Sequence, residues 1–147
     1  MTVSSTTTKN SYSGNGSTTV FAYAFKIFDD ADLQVIIRSS TGTETIKTLT
    51  THYTVSGAGS ASGGNVTFTT GNTPASGETV VIRRNLTQTQ STDYVANDPF
   101  PAESHEDALD RLTFITQQLQ EELDRSFKVS KTTTITTPEF TDSAPRS

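Results

Sequence analysis

The chain has 147 residues, enough for one domain of ordinary size with a tail. Only 31% of them are hydrophobic, against about 45–50% in an average globular domain, so the core is thin for the length, which suits a small β domain with exposed segments or burial supplied by partner chains. The chain has no cysteine, which excludes disulfides, thiolate metal sites and cysteine nucleophiles, and its net charge of −5 argues against a general nucleic-acid binder.

The start MTVSSTTTKN has no charged region followed by an apolar run, so it does not read as a secretory signal. No apolar run is long enough to span a bilayer. A soluble protein that folds in a cytoplasm is expected. Residues 1–19 are polar, with a turn at Gly14-Asn15-Gly16. Val20–Phe28 (VFAYAFKIF) predicts a strand with a large-residue face of Phe21, Tyr23 and Phe25 and a small-residue face. Asp29–Asp32 is a turn. Leu33–Arg38 (LQVIIR) is a β-branched strand, and a break at Thr41–Glu44 leads to a return strand at Thr45–Leu49. Tyr53–Val55 alternates as a short strand. Gly57–Gly64 (GAGSASGG) reads as a flexible connection without side chains to pack. Asn65–Thr69 and Thr79–Arg84 (TVVIRR) are further strands, with Pro74 and Gly77 marking the turn between them. Six or seven short strands at about ten-residue spacing predict an antiparallel β-sandwich or small barrel.

Leu86–Asp98 is polar and irregular, and Asp98-Pro99-Phe100-Pro101 interrupts regular structure. A helix is expected to follow, with Ser104 as its N-cap and Glu106, Asp107 and Asp110 in its first turns. Leu109, Leu112, Ile115, Leu119, Leu123 and Phe127 recur at steps of three or four and form one stripe. The opposite face is dense in Gln and Glu. Such a stripe either lies on the upstream domain or meets copies of itself. The intervening linker, the polar opposite face and persistence over about three heptads favour copies, and Thr116 shares the seam in some registers. The linker is the expected place for flexibility. Lys131–Thr137 is again strand-like, and Pro138–Ser147 reads as a tail. The organisation is thus a β domain at 1–98, a linker and oligomerising helix at 99–130, and an extended tail at 131–147.

Sites for chemistry are scarce. The Gly-rich loop lacks the Lys-Ser/Thr of a phosphate-binding loop. His52 and His105 have no partners at a catalytic or metal-binding spacing, so no enzyme, catalytic residue, metal or cofactor is expected. Arg83, Arg84 and Phe100 are candidate partner-binding residues. Strand alternation places the two arginines on opposite faces, so one at most serves any single interface, either a partner or the start of the helix. Two solvated arginines on an edge strand are the plain alternative.

From about Tyr12 to Val129 the chain resembles the N-terminal region of phage T7-like tail fibre proteins. The pieces that carry the resemblance are YSGNGSTTVFAYAFKIFDDADLQVI, HYTVSG, NVTFTTG, PASGETVVIRRN and, most specific, SHEDALDRLTFITQQLQEELDRSFKV. The resemblance implies a virion structural protein of a podovirus, made in the host cytoplasm. Its β domain would attach a homotrimeric fibre to the adaptor and nozzle proteins of the tail and so support host attachment. Its helix would begin a trimeric coiled-coil stalk. Family fibres continue for hundreds of residues, whereas this chain stops at Ser147. It is therefore expected to be a fibre fragment, or a short anchor whose segment Thr132–Ser147 docks a separate receptor-binding fibre protein. No nucleic-acid or membrane partner is implied. The alternative is a monomeric carbohydrate-binding or adhesin-like β-sandwich, which would need exposed aromatics, with Tyr53 and Tyr94 the candidates.

Overall fold

The computed structural model describes residues 3–132 and residue 134. The strand-like segment expected at 131–137 and the tail 138–147 lie outside these residues except for Lys131, Thr132 and Thr134, as does most of the proposed docking segment Thr132–Ser147.

Seven strands among the described residues build two antiparallel sheets: β1 (Lys9–Ser13), β2 (Val20–Tyr23), β3 (Leu33–Arg38), β4 (Glu44–Ile46), β5 (Tyr53–Ser56), β6 (Gly64–Phe68) and β7 (Thr79–Arg84). One sheet has the order β1-β7-β3-β4, the other β2-β6-β5. The period of two decides which side chains enter the core. In β3 it buries Leu33, Val35 and Ile37, and in β7 it buries Val80, Ile82 and Arg84. The register sets Val35 opposite Ile82. In the second sheet Phe21 faces Val66, and Tyr53 faces Phe68. These side chains make one core between the sheets. Aromatic contacts run through it, with Phe21 and Phe68 edge-to-face at 5.7 Å. The turn at Asp29–Asp32 is a single 3-10 turn closed by a reciprocal capping box.

Three expectations about the β domain change. The first is β1, in a segment read only as polar with a turn. KNSYS carries one aromatic, yet it pairs along the free edge of β7, with Asn10 opposite Ile82. Backbone hydrogen bonding forms this strand, and Tyr12 secures it by donating to the Ala22 carbonyl at 2.7 Å. The second is β2, which ends at Tyr23 rather than running to Phe28. The Asn10 side chain accepts from the Ala24 amide, and Phe25 and Ile27 enter the core from an irregular segment.

The third is the glycine loop, which is packed backbone against backbone. The Gly59 amide donates to the Ile27 carbonyl at 2.8 Å, and a Cβ on Gly63 would overlap the Tyr23 carbonyl. Gly63 also has φ +84°. Gly63→Ala is therefore expected to cost about 3 kcal/mol, from left-handed strain plus overlap. Gly59→Ala (φ +82°, in open space) should cost only ~1–2 kcal/mol. Urea unfolding measures both, and equal midpoint shifts would contradict the packed loop.

The helix α1 spans Ala102–Asp124, about 35 Å at ~1.5 Å per residue. Pro101, not Ser104, occupies its N-cap position and makes no side-chain cap bond. The first turn closes from the His105 amide to the Pro101 carbonyl, which puts Ser104 inside the helix.

Candidate functional site

The helix docks on its own β domain, but through its polar face. Asp110, Phe114 and Gln118 are its buried residues. Lys26, itself buried, reaches Asp107 at 3.0 Å and Asp110 at 3.5 Å, with its ammonium 4.7 Å from the Phe28 ring centre. The Gln118 side chain closes a two-way pair with the Leu86 backbone, accepting from its amide at 2.9 Å and donating to its carbonyl at 3.4 Å. Arg83 pairs with Glu122 and Lys9 with Glu121, both at 3.1 Å. The expectation that at most one arginine serves a single interface is corrected: β7 is an inner strand, and both Arg83 and Arg84 reach α1. They meet its second half rather than its start.

Arg84 is the centre of this contact. Only 2% exposed, its guanidinium lies 3.8 Å from the Phe114 ring centre and 5.3 Å from that of Phe25. It donates to the Gln117 side chain at 3.1 Å and to the Thr7 carbonyl at 3.5 Å. Burial lowers its pKa to about 10 against the opposing pull of Asp32, so it stays charged at neutral pH. A group that is costly to desolvate is thus held between two rings and a pair of acceptors, and the helix supplies half of that cage.

The end of the dock is acid-sensitive. Burial pushes the Glu121 carboxyl up, but hydrogen bonds from Arg125 and Lys9 outweigh this and hold it below its ordinary value. A depressed carboxyl contributes stability above its unfolded pKa and loses it as pH falls through the folded one. Glu121→Gln should therefore lower stability by about 1 kcal/mol near neutral pH, and by much less at pH ~3. Thermal melts of both proteins across that range check this, and a constant gap would contradict it.

With the polar face docked, the apolar stripe is left in solvent. Leu109, Leu112, Leu119 and Leu123 are 52%, 55%, 43% and 55% exposed. At roughly 100° per residue the stripe lies on nearly the opposite side of the helix from Phe114 and Glu121. Leu109, Leu112, Thr116, Leu119 and Leu123 follow the alternating three–four spacing of heptad a and d positions. Asp107, Asp110, Phe114, Gln117, Gln118 and Glu121 then fall at b, c and f, the outer positions of a coiled coil. Thr116 is suited to a seam because its hydroxyl is already spent on the Leu112 carbonyl at 3.0 Å. Of the expected stripe, Ile115 turns toward the linker and is half-buried, and Phe127 lies beyond the end of the helix.

The linker is tied down rather than loose. Arg111 donates to the carbonyls of Thr87 (3.0 Å) and Thr89 (3.4 Å), and Tyr94 shares a 2.9 Å hydrogen bond with His105 Nδ1. Phe100, 66% exposed, stacks on Tyr94 with ring centres 6.2 Å apart. Tyr53, the other candidate binding aromatic, is a core residue whose hydroxyl donates to the Leu33 carbonyl. His52 accepts from the Thr48 amide and so serves a turn. Among the described residues no cluster of three His, Cys, Asp or Glu side chains could hold a metal ion, and no helix is long and apolar enough to cross a membrane.

No protein-family profile matches the chain. It is similar to the tail spike protein of Salmonella phage epsilon15, at 43% identity over 122 residues. The match covers 82% of this chain and 11% of that protein, so the chain spans a small part of the relative's length. The similarity is thus to part of a phage tail spike protein and not specifically to a T7-like tail fibre.

Proposed function

We propose that the chain is the tail-proximal anchor of a podovirus tail spike or fibre, acting structurally and without catalysis. Its β-sandwich attaches to the adaptor and nozzle region of the tail, and three copies join along the exposed face of α1. The observation that carries this reading is the division of the helix into two faces. The polar face is used within the chain, and four leucines on the other face remain about half exposed among the described residues. At ~25 cal/mol per Å² of apolar area removed from water, covering that stripe contributes several kcal/mol per chain. The resemblance to homotrimeric fibres supplies the number three.

Because β-sandwich and helix are docked, the three sandwiches would sit outside the bundle, on its b, c and f positions, free to face the tail. Sedimentation across a dilution series tests the assembly: three chains are expected, and one chain at all concentrations would sink it. Adding the protein to tails assembled without their fibres tests the attachment. Electron microscopy should then show added density at the tail, and bare tails would refute the anchor.

A further inference from the structure

We propose that the groove between linker residues 89–94 and the first half of α1 receives Leu109 of an adjacent copy, making the linker part of the interface between chains. This rests on the reading of α1 as an oligomer seam. The groove encloses about 200 Å³, and its helical wall is His105, Ala108, Leu109, Arg111, Leu112 and Ile115. In a parallel coiled coil each a-position side chain enters a hole made by four residues of the facing helix. For Leu109 in the register above, that hole is formed by positions d, g, a and d, which are His105, Ala108, Leu109 and Leu112. All four residues of the hole are thus among the six helical residues that line the groove.

The linker adds a wall that a bare helix lacks. Arg111 holds it at Thr87 and Thr89, and the Tyr94–His105 bond holds it at the other end. Both tethers come from the helix that forms the hole, so the groove exists before a neighbour arrives. The flanking positions favour an identical copy as occupant. In this register Ala108 faces Thr113 of the adjacent copy and Ile115 faces its Gln120, so these flanks carry no like-charge pair. Each copy offers one Leu109 and one groove, the head-to-tail arrangement that closes into a ring.

The absence of native cysteine makes the test direct. A size-tagged Thr92→Cys chain is co-expressed with an untagged Leu109→Cys chain, and the purified protein is treated with a short bis-maleimide. A product of mixed size is expected. Leu123→Cys should give none with Thr92→Cys, because Leu123 lies two heptads further on, ~21 Å along the helix. Ser91→Cys serves as a second linker position. If sedimentation shows the oligomer and Leu109→Cys links only to itself, with no mixed product from either linker position, the linker wall is overturned while the helical seam stands. A mixed product with Leu123→Cys instead would mean antiparallel helices and would also overturn it. A single-chain mass for the unmodified protein would remove both the groove's occupant and the oligomer.

Discussion

A chain carrying Leu112→Asp and Leu119→Asp is expected to sediment as a single chain while keeping a folded β-sandwich. Both leucines are about half exposed and neither belongs to the core between the sheets. Within one chain, the substitutions therefore cost only helix propensity, on the order of 0.5 kcal/mol each. Between chains, they place carboxylates in a seam that must exclude water. Each buried ring of like charges then costs several kcal/mol, more than the remaining leucines contribute. Light scattering reads the mass, and near-ultraviolet circular dichroism of the core tyrosines reads the fold. An unchanged mass would show that another surface joins the chains. Loss of the tyrosine signal would show that the stripe supports its own domain.

The second large effect is expected at Arg84. Arg84→Ala should lower the stability of the folded chain by about 3 kcal/mol and release α1 from the sandwich. Two desolvated ring contacts account for ~1–2 kcal/mol each, and the bond to Gln117 for about 1 kcal/mol. Arg84→Met should cost less. Methionine loses the charge contacts but its stem and thioether fill the space between Phe25 and Phe114, and it removes a guanidinium whose Nε–H finds no acceptor among the described residues. Urea unfolding gives the two costs. Hydrogen exchange over α1 then separates a lost dock from a general loss of stability. Equal costs for Ala and Met would mean that the charge, rather than the packed stem, holds the helix.

The two results are linked through the division of the helix. If the leucine variant stays folded and the arginine variant loses its helix contacts, the polar face serves the chain and the apolar face serves the assembly. In the proposed anchor, load passing between α1 and the sandwich would travel through the Lys26, Arg83, Arg84 and Lys9 contacts as well as through the linker.

The sequence by itself determined the elements whose signal is local. The inward sets Leu33, Val35, Ile37 and Val80, Ile82 follow from a period of two, and the leucine stripe follows from a period near 3.6. Those periods hold within a dozen residues, so no other part of the chain is needed to read them. Tertiary structure alone decided what covers each face. Lys9 meets Glu121 across 112 residues and Lys26 meets Asp110 across 84, and no local pattern marks either pair. A Gln/Glu face looks like solvated surface until a sheet end brings buried cations to it. Arg84 looks like one of two surface arginines until Phe25 and Phe114 close on it. The strand β1 and the packed glycine loop were hidden for the same reason. Backbone hydrogen bonds and close backbone approach stabilise them, and these leave almost no trace in side-chain periodicity.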